Sequence, residues 1–546
     1  MRMTNKIMRN NSLYNINQNK LLEDKLSNQM TNQSKIARPS DDPVVAIRAL
    51  RLRSNVTTIS QYYDKNAKDA DSWLSVTADA LKTVDEVLKN LYEKAGEGAN
   101  KDLTADDLEI IMTQMKSLTG EFYASGNVDY AGRYVFSGFR TDTPITYTAA
   151  DIAEMKKHPL SYEIKENMGY ADISTIDYVN SDVLSTTIGG VGDGGVDSTT
   201  NTSYEQGITN TTLYRIRLSY DGVDGAPKDA AGNPTGPLPL KFTDANGNDL
   251  SIGKDAAGNP LPAPNGIKEF ANAEEAYKAI AKGEADPTDP NGWSGIAYIP
   301  STGEMVFSKE YYQNNYKEGD TFQVTYDKST WEEGDINPAH YFECIETKDI
   351  GDGTMKDTKK TAYNVNSADQ DIYYDVGYNQ QIQVNTLATE VFSHDVRRDM
   401  DDFQHCLNQL RGIETQISDI KKKMAEFPED SDDYKNWSKK LEGAEKAQSY
   451  IRENIHSKFE NQITKYQKYM DDNNIAITNN ATRGSRLELI STRLMNQKAT
   501  FKDLQTDNEG IDVTQVAVEL SSSELTYQAA LMATGKIMQT NLMNYI

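Results

Sequence analysis

Five histidines and two cysteines are the side chains best suited to nucleophilic, acid–base or transition-metal chemistry in this sequence. None of the histidines begins the H-E-x-x-H pattern by which a helix binds zinc, and no C-x-x-C, G-x-S-x-G or P-loop sequence occurs. The two cysteines lie 62 residues apart and match neither a zinc spacing nor a disulfide framework, although a pairing between them stays open. We therefore predict no enzyme activity, no bound transition metal and no other cofactor. The residues concerned are His158, His340, His394, His405, His456, Cys344 and Cys406.

One polar segment resembles a calcium-binding loop. DANGNDLSIGKD, residues 244–255, has Asp or Asn at its first, third and fifth positions. It lacks the glycine expected at the sixth position, and it ends in Asp where a bidentate Glu is usual. Both a calcium loop and a polar hairpin turn are open, and these departures favour the turn.

The overall composition excludes several classes of protein. At 546 residues the chain is long enough for two to four domains. Its net charge of -25 argues against binding to nucleic acid, since phosphate contacts need clustered Lys and Arg. No run of about 18 apolar residues predicts a membrane span. The N-terminus lacks the apolar region and cleavage site of a general secretory signal, which by itself suggests a cytoplasmic protein.

Proline and charge divide the chain into three parts. Thirteen of the sixteen prolines fall between Pro144 and Pro338, and residues 141–365 carry a net charge of -18 against -7 for all the others. Two helical arms therefore enclose an acidic, turn-rich middle. Because the two ends resemble each other more than they resemble the centre, we predict that the arms pack together and that the middle is inserted.

Both arms show helical periodicity. In the first arm, apolar residues recur at steps of three, four or seven from Val45 to Leu91, as in a coiled coil. The second arm predicts a helix from residue 394, a break at Pro428, a resumed helix, a separate helical stretch over 484–505 and a C-terminal helix.

The middle predicts β-structure, with short alternating runs such as LYRIRLSY and FQVTYD between Gly, Asn and Pro turns. The predicted fold class is α+β: an elongated, coiled-coil-like helical bundle from both termini with an inserted β-rich domain. The predicted segments are an assembly helix and turn (1–43), two halves of a helical body (44–140 and 394–510), the β-rich surface domain (141–365), a return hairpin (366–393) and a C-terminal assembly helix (511–546).

The stretch KIARPSDDPVVAIRALRLRS, residues 35–54, predicts a hinge between two helices. Pro43 suits the first turn of a helix, and Asp41 or Asp42 can cap the free amides there. Pro39 disfavours helix at Arg38 and so ends the preceding segment. The predicted hinge residues are Arg38, Pro39, Ser40, Asp41, Asp42 and Pro43.

The two terminal helices carry apolar stripes diluted by polar residues, so each is marginal in isolation. Two interpretations are open: the ends pack on each other within one chain, or they become ordered between subunits. On the second interpretation, the predicted N-terminal assembly residues are Ile7, Tyr14, Leu21 and Leu26. The predicted C-terminal ones are Leu520, Tyr527, Leu531, Met538, Leu542 and Tyr545.

Four stretches together resemble the flagellin superfamily. RPSDDPVVAIRALRLRS near the N-terminus is similar to its first helical region, and the two prolines are typical of the branch at the hook–filament junction. AGRYVFSG at 131–138, QIQVNTLATEVF at 381–392 and the ending LTYQAALMATGKIMQTNLMNYI are similar to the same branch. The resemblance covers about residues 1–140 and 370–546, whereas the middle matches no family that we recognise.

This resemblance implies a structural protein exported through the flagellar type III apparatus, which overrides the cytoplasmic expectation. The implied partners are the first hook-associated protein, flagellin, further copies of this chain in a ring-like layer and an export chaperone, with no nucleic acid and no membrane insertion. The implied location is the hook–filament junction outside the cell. Two alternatives remain: a flagellin that forms the filament itself, and an adhesive or glycan-binding module in the middle that uses its tyrosines.

Overall fold

The computed structural model describes residues 5–185, 204–229, 234–251, 266–286, 289–351, 353, 355–364 and 370–539. Among these residues the α-helices are α1 (Asn5–Asn32), α2 (Pro43–Ser60), α3 (Lys68–Gly98), α4 (Ala105–Ala124), α5 (Ala149–Met155), α6 (Tyr204–Gly207), α7 (Ala273–Ala285), α8 (Lys309–Asn315), α9 (Asp395–Met424), α10 (Asp432–Glu509) and α11 (Val513–Gln539). A π-helical segment, Gln61–Ala67, connects α2 to α3.

The strands are β1 (Asp129–Tyr130), β2 (Arg133–Tyr134), β3 (Leu160–Gly169), β4 (Ile173–Asn180), β5 (Thr209–Arg217), β6 (Leu240–Asp244), β7 (Ile267–Glu269), β8 (Ile296–Ile299), β9 (Glu304–Phe307), β10 (Thr321–Lys328), β11 (Glu343–Asp349), β12 (Thr358–Tyr363), β13 (Tyr373–Gly377) and β14 (Gln380–Gln383). Long helices thus come from both ends of the chain, and most strands lie in its middle. The predicted α+β class is confirmed.

The chain forms two compact units, each assembled from separate stretches of sequence. Unit 1 comprises Met1–Ser72, Tyr373–Gln383 and Arg483–Ile546, and unit 2 comprises Trp73–Ile372 and Val384–Thr482. The strands of the two large sheets lie within the predicted inserted segment, and the β13–β14 hairpin lies within the predicted return segment. The six-segment division made from the sequence stays a prediction.

The helical part of unit 2 is held together by the seam predicted for the first arm. Leu81, Leu88 and Leu91 on α3 are fully buried. Each fully buried side chain of this size contributes about 1.5–3 kcal/mol relative to an exposed one. Phe459 on α10 lies against Gly98, where its ring would overlap an added Cβ. Any larger residue at position 98 would therefore displace this ring.

The second arm differs from the prediction at one point, because α10 is continuous from Asp432 to Glu509. The segment DDNNIAITNN, which separates the two helical stretches predicted from the sequence, lies inside it. Two of its asparagines are buried and donate to α3: Asn473 Nδ2 to Leu81 O at 3.1 Å and Asn480 Nδ2 to Leu74 O at 2.9 Å. Asparagine disfavours a helix when its amide competes with the local backbone, and here the amides bond to the neighbouring helix instead.

Two five-stranded sheets form the β-rich part of unit 2. The first has the order β12-β11-β3-β10-β6 and is antiparallel throughout. The second has the order β4-β5-β9-β8-β7, with β7 and β8 parallel. Helix α7 packs on the second sheet, where Ala276, Tyr277 and Ile280 share a buried cluster with Leu213 and Val306.

The first turns of α9, with the sequence DVRRDMDD, bind the second sheet through buried charges. Asp402 accepts from both terminal nitrogens of Arg215 on β5, with Arg215 Nη1 at 2.9 Å from Asp402 Oδ1. Glu304 on β9 accepts from the same guanidinium. Arg217 Nη2 lies 2.8 Å from Asp399 Oδ1. We call Arg215, Arg217, Glu304, Asp399 and Asp402 the charge clasp.

Electrostatics keep the clasp ionised in spite of its burial. Burial by itself would raise the pKa of Asp402, but Arg215, Lys458 and Arg217 together hold that pKa well below its usual range. Burial likewise opposes the charged form of Arg215, whereas Asp402 and Glu304 raise its pKa. The clasp thus joins β5 and β9 to α9 through charges that need one another, because a lone buried charge is very costly.

We predict that Asp402→Asn lowers the free energy of unfolding by about 3–5 kcal/mol, because it leaves Arg215 buried without its main counter-charge. Urea unfolding followed by circular dichroism measures this loss. The matched control is Asp395→Asn: Asp395 also pairs with Arg217, but its side chain is 57% exposed. The control should cost less than about 1 kcal/mol. Equal effects of the two substitutions would contradict the clasp.

Candidate assembly surface

The turn between α1 and α2 is built from the predicted hinge residues. Gln33, just after α1, adopts a positive φ of 51°. Asp41 Oδ2 accepts from the backbone N–H groups of Ala37 (3.1 Å) and Arg38 (2.8 Å). Asp42 is the N-cap of α2, and its Oδ1 accepts from Val44 N (2.9 Å) and Val45 N (3.1 Å), with Pro43 at the start of the helix. The two aspartates therefore have different tasks, one in the turn and one in the helix cap.

The end of α10 holds this turn in place through contacts that local sequence patterns do not predict. Lys35 N donates to Glu509 O at 2.8 Å, and Lys35 Nζ donates to Asp507 O at 2.6 Å. The Glu509 carboxylate pairs with Arg53 on α2, with Nη2 and Oε2 2.5 Å apart. Asn508 Nδ2 donates to Val45 O at 3.2 Å. These partners lie more than 450 residues apart in the chain, so only the folded structure reveals them.

Helices α1 and α11 pack against each other beyond the turn. Ile16 and Leu26 on α1 and Val516 on α11 are buried. A groove of about 410 Å³ runs between the two helices and is lined by Leu22, Leu26, Val518 and neighbouring polar residues. Part of each apolar stripe is therefore buried by packing of the two terminal helices on each other within one chain.

The remaining part of each stripe faces outward. Tyr14 and Leu21 are each 63% exposed and Ile7 is also exposed, whereas Leu26, predicted in the same set, is only 5% exposed. On α11, Leu520 and Tyr527 are half-buried and Leu531 is exposed. Met538 lies in α11, but its side chain is outside what the structure describes. Leu542 and Tyr545 lie outside the described residues. The assembly role of these residues stays a prediction.

The chemistry-bearing residues of the sequence lie elsewhere, in unit 2. Cys344 and Cys406 are free and buried. Burial lowers the pKa of His340 to about 4 and that of His394 to about 3, so both rings are neutral at pH 7. Asp244 accepts from the backbone N–H groups of two asparagines in its own turn (Asn246 and Asn248), which is the polar hairpin favoured above; residues 252–255 lie outside the description. Within the described residues, no His, Cys, Asp and Glu side chains group as a metal site would require.

No helix within the described ranges is long and apolar enough to cross a membrane. The exposed apolar residues predicted for assembly lie on α1 and α11, the pair that continues from the turn.

Comparison with known proteins first identifies a class. Residues 3–141 match the model of the bacterial flagellin N-terminal helical region. The predicted resemblance to the flagellin superfamily is thereby confirmed over the segment that contains α1, the turn and α2 to α4.

Two relatives that match part of the chain carry the name of one branch of this superfamily. The flagellar hook-associated protein 3 of Escherichia coli K12 is 28% identical over 144 residues, and that of Salmonella typhimurium LT2 is 27% identical over 143 residues. Each match covers 26% of this chain and 45% of the relative, so the chain spans less than half the length of the relatives it matches. The resemblance to hook-associated protein 3 is confirmed over this region. A solved structure of the flagellar junction protein FlgL from Legionella pneumophila overlays on 81% of this chain and 99% of its own length, with a TM-score of 0.26 at 11% identity.

We predict that Asp42→Ala destabilises the start of α2 by about 1 kcal/mol, because the amides of Val44 and Val45 lose their acceptor. Hydrogen exchange at these two amides should then accelerate about fivefold. Asp42→Ser, which retains a capping oxygen, should preserve most of the protection. Unchanged exchange in the alanine variant would show that the cap does not stabilise α2.

Proposed function

We propose that this chain is a structural subunit of the bacterial flagellum, located at the hook–filament junction. It would connect the hook, through the first hook-associated protein, to the flagellin filament. The observation that carries the proposal is the match of residues 3–141 to the flagellin N-terminal helical region, together with the two relatives named flagellar hook-associated protein 3. Export by the flagellar type III apparatus and a dedicated chaperone are part of the same proposal.

The arrangement of the chain ends supports assembly by burial. The α1–α11 pair covers only part of its apolar residues, and Leu525, Leu531 and Met532 on α11 remain exposed. An exposed apolar surface on paired helices is typical of a protein interaction site. At about 25 cal/mol per Å² of apolar surface, several such contacts per subunit would hold copies of the chain in a layer. This mode of assembly requires no catalytic group, which agrees with a non-enzymatic role.

Of the two tyrosine runs considered for glycan binding, the run at 311–316 packs inside the protein, whereas Tyr373 and Tyr378 of the run at 371–378 are 54% and 87% exposed. Tyr311 and Tyr316 are buried beside Phe307. Tyr312 stacks on Tyr214 with ring centroids 4.2 Å apart. Because the rings of the first run pack on one another, they offer little free face to a sugar, so a glycan could stack only on the exposed second run.

Immunogold electron microscopy of isolated flagella, with an antibody against residues 141–365, tests the location. A narrow labelled band between hook and filament is the expected result. Label along the whole filament would instead indicate a flagellin. Flagella without any label, from cells shown to export the chain, would refute a flagellar role.

We further predict that Leu531→Asp blocks attachment to the flagellum without reducing export, because it places a charge in the exposed stripe of α11. Leu531→Met, which conserves size and polarity, is the matched control and should attach normally. Export is measured as protein in the culture medium and attachment as protein in purified flagella. Normal attachment of the aspartate variant would exclude this stripe from the interface.

A further inference from the structure

The two faces of helix α2 differ in solvent exposure. Its buried side consists of Ala46, Ala49 and Ile59, which pack within unit 1. On the opposite side Val44 and Ile47 are exposed, with Ile47 at 53%. An apolar stripe on the outer side of a helix is unusual for a surface that only meets water.

The exposed side of α2 is also basic. Pro43–Ser60 contains three arginines and no acidic residue. Arg53 is paired with Glu509, whereas Arg48 and Arg51 have no ion-pair partner among the described side chains and follow Ile47 within about one turn. A partner for this face therefore needs an apolar contact with carboxylates beside it.

The charge of the chain is distributed in a way that provides such a partner. Unit 1 has 18 Lys and Arg against 15 Asp and Glu, a net charge of +3. Since the whole chain has a net charge of -25, unit 2 has a net charge of -28. A second copy of this chain thus offers an acidic surface to the basic face of α2. Opposite charges of this kind steer two surfaces together and set their register.

Few exposed apolar residues of unit 2 have free carboxylates nearby. Ile475 on α10 is 60% exposed, and Asp471 and Asp472 lie one helical turn before it on the same exposed side. Neither aspartate has an ion-pair partner among the described residues, and the exposed Lys468 lies one turn before them on the same face. Ile110 on α4 is the other candidate on a long helix, but its acidic neighbours are already paired with Arg411.

We propose that the exposed face of α2 in one copy binds the Asp471–Asp472–Ile475 face of α10 in a neighbouring copy. Ile47 packs against Ile475, and Arg48 and Arg51 pair with the two aspartates. The contact joins different surfaces of the two copies, so it is heterologous and can repeat around a ring. This inference rests on the proposed function and specifies how copies of the chain meet within the layer.

Disulfide cross-linking tests the contact in assembled flagella. Cells produce two full-length variants with different tags, one Ile47→Cys and the other Ile475→Cys, and the isolated flagella are oxidised. The native thiols of Cys344 and Cys406 are buried and do not compete. A disulfide between variants requires Cα atoms within about 7 Å, so a heterodimer reports a direct contact between copies. The matched control replaces Ile475→Cys by Ile110→Cys, which is equally exposed.

The expected result is a heterodimer from the Ile47→Cys and Ile475→Cys pair that is absent from the control pair. Arg48→Glu with Arg51→Glu should abolish this product, and adding Asp471→Lys with Asp472→Lys in the partner should restore it. If both variants are present in the flagella but the specific heterodimer does not form, this inference is overturned and the proposed function stands. Absence of both variants, when each is exported, would overturn the proposed function and the inference together.

Discussion

Neither end of this chain can bury its apolar stripe alone, and the rest of the structure depends on this constraint. An isolated helix with one apolar face gains little in water and becomes stable when a second helix covers that face. The seam of α3, with Leu81 and Leu88 at its centre, is covered in this way within unit 2. In unit 1, α1 is covered in part by α11. Because the partners come from opposite ends of the chain, everything between them must leave the helical body and return to it.

The inserted β-rich part is therefore attached at both of its ends, and the charge clasp fixes it more firmly. Arg215 and Arg217 on β5 pair with Asp402 and Asp399 on α9, so an interior strand of the second sheet is tied to the helix that follows the insertion. A buried ion pair adds little net stability compared with apolar packing of the same volume. Its advantage is directional, since a guanidinium donates two parallel N–H groups to a carboxylate only in a narrow geometry.

The two units differ in how completely they bury their apolar surface. Unit 2 contains most of the fully buried side chains, including Trp73, Phe392 and Phe459, whereas Tyr14, Leu21 and Met532 in unit 1 remain open to solvent. The proposed function needs both features: a stable body and an incomplete apolar surface that neighbouring subunits would cover. The proposed contact between α2 and α10 applies the same principle, with charge selecting the partner that apolar burial then holds.

Local chemistry determined much of this protein from its sequence alone. Pro43 and Asp42 mark a helix start because a missing N–H and a short carboxylate suit that position in any context, and the apolar period from Val45 to Leu91 requires a helical seam. The tertiary structure alone decided the features that depend on distant partners. DDNNIAITNN is helical because Asn473 and Asn480 donate to α3, and Leu26 is buried while Leu21 is exposed because α11 covers only one side of α1. A sequence pattern shows that a face is apolar, but only packing shows which neighbour covers it.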